Sequence, residues 1–301
     1  KNKSFVLDQS AVLTIENLEL WEQLTGFQLV VMRSVADLFE SHAEKLEDDR
    51  SKGTMMLSDS DQLCLHELSD EERKSRVTRA STLIENIHKY CRIEESLAAA
   101  SVDGELRKAF SDVHAYPSLD SISHAHSDSS FVLWTDEMFM QAVACNDFKI
   151  HSVGTQFIIQ HLRATGKISH EELATFTAKL LGWHYNPIEW NADVAFAAAR
   201  LSNWDADFQP FKEVLRLFGS NHWRLCDKCE MALALFVRVY RSNANDFSET
   251  HLLLRVMDAI GESKAADLIR SDAPTACIPY KEMLDSISLS LDVWQEKWLG
   301  R

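Results

Sequence analysis

The feature that most narrows the fold lies near the N-terminus, where two short apolar runs each give way to a helical pattern. Ser4-Phe-Val-Leu ends in Asp8, as a strand buried on both faces would. Ser10 then caps a pattern carried by Leu13, Leu18 and Leu24 that closes near Gly26. Gln28-Leu-Val-Val-Met32 repeats the strand signal. Ser34 follows with Asp37 three residues on, the S-x-x-D signature of a capping box, and the helical pattern continues to about Asp49. Strand–helix–strand–helix in this order predicts a parallel sheet covered by helices.

Two short runs at 54–57 and 62–66, divided by Ser58-Asp-Ser-Asp61, predict a β-hairpin. A long amphipathic helix is expected from about Ser69 to Cys91, with Val77, Ala80, Leu83, Ile84 and Ile87 on its apolar face. Arg73, Arg76 and Arg79 recur along it at intervals of three. They form either a phosphate-contacting edge or, more simply, a solvated face balanced by Glu71 and Glu72. Alternating structure then resumes: a helix at 118–127, a strand at 130–134, and a helix opened by Thr135-Asp-Glu137 that runs through Phe139 to Cys145. A strand at 149–153 and a helix at 156–164 follow. Ser169, with Glu172 at the third position, caps a further helix that closes near Gly182.

Beyond Pro187 the strand signals stop. Helical patterns cover 191–202, 207–218, 222–242, 246–260 and 278–298, with breaks at Asn203, Gly219, Ser242-Asn-Ala-Asn245 and Pro274. No 34-residue repeat is visible, so a helical-repeat array is not supported. The expectation is an α/β domain over 1–185, elaborated between about 50 and 115, followed by an all-α bundle over 186–301.

A chain of 301 residues is long for one core, which agrees with two domains. Hydrophobic residues at 46% and charged residues at 26% suit a soluble globular protein. No apolar run approaches the ~20 residues needed to cross a bilayer. The chain opens on Lys1 with neither an initiator Met nor a signal peptide, and reads as a segment of a longer cytoplasmic protein with no membrane partner. The six cysteines are scattered and do not form a disulfide framework. Cys226-x-x-Cys229, with His222 nearby, lacks a fourth zinc ligand and reads as ordinary core or surface cysteine. A net charge of −15 argues against a general nucleic-acid coat protein, since phosphate contact needs clustered Lys and Arg. The acidity is heaviest before residue 186, and most of it is read as solvated surface.

Some of these acids are placed for chemistry. Asp8 ends the first strand and Asp136 follows the strand at 130–134, so both belong at the carboxyl edge of the sheet, where open α/β sheets bind ligands. Asp120 lies on the helix before that strand, and Asp37 one turn into the helix after the second strand. Four carboxylates in one crevice repel one another unless divalent cations neutralise them, and oxygen-only ligation favours Mg²⁺ or Mn²⁺ over zinc. Singly, each acid has a plainer explanation. Asp37 completes the box with Ser34, Asp8 and Asp136 cap helices, and Asp120 is a helix surface residue.

Phe5-Val-Leu-Asp-Gln-Ser-Ala-Val-Leu13 resembles the opening strand of PIN domains, and Val30-Val-Met-Arg-Ser-Val-Ala-Asp37 resembles the strand and helix carrying that family's second acid. Ser118-Leu-Asp-Ser-Ile-Ser-His-Ala125 with Phe131-Val-Leu-Trp-Thr-Asp-Glu137 is similar to its paired third and fourth acids. Val153-Gly-Thr-Gln-Phe-Ile-Ile159 and Gly166-Lys-Ile-Ser169 look like its closing strand and last helices. The resemblance covers roughly residues 4–185. It implies a metal-dependent nuclease that hydrolyses phosphodiesters, in RNA rather than DNA, leaving a 5′-phosphate and a 3′-hydroxyl. Asp8 and Asp136 would be primary ligands of two ions, Asp120 and Asp37 (or Glu40, one turn on) would complete the shell, and Ser10 or Thr135 would hold a carboxylate or a ligand oxygen. His114, His124 and His126 would be helix or surface residues outside the chemistry.

Fused domains of this kind resemble toxin or host-defence effectors. A second reading is a PIN-like scaffold without catalysis, whose C-terminal helices dock a protein partner or a second copy. A third is an unrelated α/β domain whose acids are all caps. The geometric discriminator is whether Asp8, Asp120 and Asp136 converge.

Overall fold

The computed structural model describes residues 3–48, 53–57, 63–67, 69–112, 115–185, 188, 190–242, 246–262, 264–276 and 281–299. The chain packs as two compact units, Lys1–Ile158 and Ile159–Arg301.

In the first unit β1 (Ser4–Leu7), α1 (Gln9–Leu18), β2 (Gln28–Met32) and α2 (Arg33–Asp48) alternate as the sequence predicts. β3 (Gly53–Leu57) and β4 (Leu63–Glu67) form an antiparallel hairpin, and its expected turn at 58–61 lies outside the described residues. α3 (Asp70–Tyr90) begins with a full capping box, Ser69 and Glu72 each bonding the other's backbone N–H. It runs into β5 (Cys91–Glu94), a strand the sequence conceals because Cys-Arg-Ile-Glu shows neither alternation nor a continuous apolar run. α4 (Gly104–Asp112), α5 (Tyr116–Ser127), β6 (Phe131–Trp134), α6 (Met138–Asn146) and β7 (Ser152–Val153) complete the order, and α7 (Thr155–Ala164) contains the division between the units. The strand expected over 149–153 thus shrinks to two residues.

Among the described residues the main sheet has five strands in the order β5-β2-β1-β6-β7, every neighbouring pair parallel. The fold is therefore α/β with a parallel sheet flanked by helices. Its strands are short and nearly all apolar because helices cover both faces. Val6, Leu7, Val30, Val31, Leu133 and Trp134 are at most 1% exposed, each contributing roughly 1.5–3 kcal/mol by leaving water. From β1 the chain passes outward to β2 and β5, then returns to the other side of β1 as β6 and β7. The direction of strand addition reverses between β1 and β6, and at such a switch point the carboxyl ends leave a crevice.

The second unit is helical: α8 (His170–Gly182), α9 (Ala192–Leu201), α10 (Phe211–Gly219), α11 (Leu225–Arg241), α12 (Asp246–Ile260), α13 (Lys264–Ala276) and α14 (Lys281–Leu299). Its core includes Ala178, Leu181, Phe211, Phe218, Phe236, Met257 and Trp294. α13 falls in the gap between the helical patterns read at 246–260 and 278–298. Packing divides the chain at Ile158/Ile159, and the small apolar face of α8 (Ala174, Ala178, Leu181) joins the helical core. Pro274 does not break the chain but lies within α13.

Candidate metal centre

Asp8, the first residue past β1, has left the ladder and become the N-cap of α1, with φ −87° and ψ 179°. Its backbone N–H still donates to the Trp134 carbonyl at 3.2 Å, and the Thr135 N–H donates to Val153 at 3.0 Å. The ends of β1, β6 and β7 are therefore tied side by side. Onto this frame the sequence places Asp8, Ser10, Thr135, Asp136 and Thr155.

Their side chains form one network. The Asp8 carboxylate accepts from Ser10 Oγ (2.7 Å) and the Ala11 N–H (2.9 Å) on Oδ1, and from Thr135 Oγ1 (2.5 Å) on Oδ2. Ser10 Oγ in turn accepts from the Asp136 N–H at 3.0 Å and lies 3.4 Å from Thr135 Oγ1. Asp136 is held at the start of α7, its Oδ1 accepting from the Thr155 N–H (2.7 Å) and its Oδ2 from Thr155 Oγ1 (2.6 Å). The Trp134 indole N–H closes the circuit on Thr155 Oγ1 at 3.0 Å. A carboxylate at a helix N-terminus also gains from the helix dipole, so both acids are fixed in position by their own helices.

Electrostatically the pair is strained. Asp8 is fully buried, and burial pushes its carboxyl up to about 6. The bonds from Thr135, Ala11 and Ser10 oppose the shift, and the neighbouring Asp136 charge adds to it.

Asp120 stands elsewhere along the same edge. Its Oδ2 accepts from Ser34 Oγ at 2.7 Å, while Oδ1 is buried without a partner. Burial raises its pKa, with the Ser34 bond and nearby His124 opposing. One residue on, Ser121 Oγ reaches the Leu7 carbonyl at 3.4 Å, so α5 presses against the strand end that carries Asp8. His124 is buried rather than a surface residue, and Nε2 lies 2.9 Å from Glu94 Oε2 without the angle for a hydrogen bond. Glu94 closes β5 in register with Met32. No sequence signal pointed to it, because β5 itself was hidden.

Asp37 and Glu40 make their contacts with other residues. Ser34 lies within α2 and spends its hydroxyl on Asp120, so the capping box with Asp37 does not form. Asp37 has a side chain 60% exposed and pairs with Arg33 at 4.0 Å. Glu40 faces His88 at 3.3 Å. Among the described residues no three His, Cys, Asp or Glu side chains gather as a metal site. Cys229 is buried with Sγ 3.8 Å from the Ala265 carbonyl, and Cys226 is exposed. Arg73 pairs with Asp70, whereas Arg76 and Arg79 border an apolar groove with Leu13, Leu38 and Leu83. No helix among the described residues is long and apolar enough to cross a membrane.

A family model described as the PIN domain associated with the TPR-GreAB-C-PIN system matches residues 6–146. That segment belongs to the PIN-domain family. No curated protein and no solved structure matches the chain. PIN domains are in general nucleases that use divalent metals, and this one offers a donor set suited to such an ion. Asp8 and Asp136 are hard oxygen donors in mutual repulsion, and Asp120 carries an orphaned buried oxygen. Mg²⁺ is commonly held by one or two carboxylates with water and substrate phosphate completing its shell, and Asp8 and Asp136, linked through Ser10, are of that donor type.

Proposed function

We propose that this chain is a divalent-metal-dependent nuclease that hydrolyses phosphodiester bonds, in RNA rather than DNA. The observation that carries the proposal is the Asp8–Ser10–Thr135–Asp136–Thr155 network at the switch point of the sheet. Asp8 and Asp136 are assigned as the ligands of Mg²⁺ or Mn²⁺, and Asp120 as the group that completes the site or orients water. When bound, the ion supplies charge neutralisation for the phosphate and an activated water. Ser10 and Thr135 hold the Asp8 carboxylate with both oxygens fixed, and Thr155 does the same for Asp136. Those positions are set before substrate arrives, which is the condition for electrostatic catalysis. Phe139 and Phe157, 62% and 60% exposed, lie within the first two turns of α6 and α7 just past Asp136 and Thr155. They offer ring faces on which unpaired bases stack. Of the two candidates for a further acid, Asp37 or Glu40, we retain both for test.

The family description names TPR and GreAB-C components. This supports a cytoplasmic toxin or defence effector working with a protein partner, with the helices of 186–301 as its docking surface or as a self-association surface. The absence of a gathered three-donor group among the described residues favours a second reading, a PIN scaffold without catalysis. One assay separates them. Single-stranded RNA and DNA are incubated with Mn²⁺ or Mg²⁺ and the parent, Asp8→Asn or Asp136→Asn protein. Cleavage of RNA by the parent that falls at least about a hundredfold in both variants supports the nuclease. A parent that binds Mn²⁺ yet cleaves neither nucleic acid supports the scaffold.

A further inference from the structure

The second unit contains a cavity of about 230 Å³ between the end of α8 and α10, remote in sequence from the acidic centre. Near it, Gly182 permits a close approach of two helices. A Cβ there would stand 2.9 Å from Pro210 Cβ and 3.2 Å from Pro210 Cα, so the α8 terminus can approach the start of α10 only without a side chain. That approach sets His184 and Tyr185 opposite Glu213 and Arg216, with Trp190 and Trp223 completing the walls.

Three properties of the lining select a ligand. The first is aromatic. Trp190 meets Trp223 edge to face at 5.2 Å, and Tyr185 adds a third ring. The second is an unpaired donor, in a lining that also holds a buried carboxylate. The Trp190 indole N–H is buried with no partner among the described residues. Glu213 is 3% exposed. Its Oε1 accepts from Arg216 Nε at 2.8 Å, whereas Oε2 has only a 3.4 Å approach from His184 Nδ1. A buried indole N–H is ordinarily bonded, and one left open in an aromatic-walled cavity calls for a ligand that presents an acceptor. The third is charge. Arg216 already neutralises Glu213 while keeping its side chain 68% exposed at the rim. Arg216 at the rim disfavours a cationic ligand and can receive an anionic tail.

We propose that this cavity binds a single nucleobase, with Arg216 receiving its phosphate. A flat heterocycle carries neighbouring donor and acceptor atoms on its edge and stacks on aromatic rings. The volume is below the roughly 300–1,000 Å³ of drug-sized sites, which fits one ring system rather than a larger cofactor. The source is either a free nucleotide or an unstacked base of a strand.

The test is calorimetric titration of the full chain in EDTA with AMP, adenosine, ribose 5-phosphate and a short single-stranded oligoadenylate. AMP binds and ribose 5-phosphate does not. Trp223→Ala weakens AMP roughly fivefold or more, Trp223→Phe restores most of that affinity, and Glu213→Gln weakens it comparably. Arg216→Met, at an exposed position, removes the advantage of AMP over adenosine. Asp8→Asn leaves AMP binding unchanged, which separates this cavity from the acidic centre. Tighter binding of the oligonucleotide with the same dependence on Trp223 assigns the base to a strand, and equal binding assigns it to a free nucleotide. The proposal is overturned if ribose 5-phosphate binds as well as AMP, if Asp8→Asn abolishes binding, or if neither AMP nor the oligonucleotide binds. It is likewise overturned if AMP affinity is indifferent to Trp223→Ala and Glu213→Gln in variants whose thermal melts match the parent.

Discussion

Asp8 is the residue at which folding and chemistry conflict. Its carboxyl is fully buried and raised from 3.8 to about 6, so in metal-free protein the fold prefers the neutral acid. The contribution of that neutral acid to stability is complete below about pH 3.8, where folded and unfolded chains are both protonated. It is lost as pH rises through about 6, because the unfolded chain ionises first. The loss amounts to about 3 kcal/mol. Asp8→Asn keeps the shape and cannot ionise, and so escapes that loss. In EDTA, urea unfolding should therefore show the variant gaining on the parent by about 2–3 kcal/mol between pH 4 and pH 7.5. An equal gap at both pH values would mean that Asp8 is not strained. Adding Mn²⁺ at the higher pH should raise the midpoint of the parent and leave Asp8→Asn unmoved, since only the parent has an ionised Asp8 for the cation to neutralise. Thr155 is the matching device for Asp136, holding both of its oxygens. Thr155→Val keeps one of those two bonds, from the backbone, and is expected to weaken Mn²⁺ binding several-fold in a titration followed by electron paramagnetic resonance. Unchanged Mn²⁺ affinity would remove Thr155 from the site.

At the scale of elements, what the sequence reveals depends on whether a signal is local. β1, β2 and β6 are legible because strands covered on both faces must be apolar throughout, and Asp8 and Asp136 are legible because each directly ends such a run. α3 and α8 announce themselves through Ser69/Glu72 and Ser169/Glu172, both of which form complete capping boxes. Ser34 and Asp37 carry a similar local pattern, yet a tertiary partner wins, since Asp120 takes the Ser34 hydroxyl. β5 is silent because an edge strand paired only with β2 needs no apolar run, and with it Glu94 and the burial of His124 stay hidden. The approach of α8 to Pro210 is equally invisible in sequence, where Gly182 reads as an ordinary helix stop. Its role is steric as well: Gly182→Ala forces the α8–α10 contact apart and should cost about 1–3 kcal/mol. The cost would be read as a lower urea midpoint for the transition of the second unit. A variant as stable as the parent would show that the contact can yield.

For the molecule as a whole the governing quantity is charge. The chain carries 31 Lys and Arg against 46 Asp and Glu, so an RNA strand, the substrate proposed above, would meet a surface that on average repels it. On the proposed function, binding would come from a few local features: a cation held by Asp8 and Asp136, exposed arginines such as Arg76 and Arg79, and stacking on aromatic rings. These differ in their response to salt. Each phosphate neutralised by Lys or Arg releases a counterion and adds about 0.7 to the slope of log K against log salt on a single strand, whereas stacking adds almost nothing. A basic nucleic-acid protein with six to ten phosphate contacts would show a slope of roughly 4–7 in magnitude. For this chain, with Mn²⁺ held constant and Asp136→Asn used to prevent cleavage, the slope for single-stranded RNA should stay below about 2 in magnitude. A slope of 4 or more, measured by fluorescence anisotropy over a salt series, would mean that a basic surface dominates despite the net charge of −15. In that case the arginines of α3, rather than the acidic centre and the aromatic contacts, would carry most of the affinity.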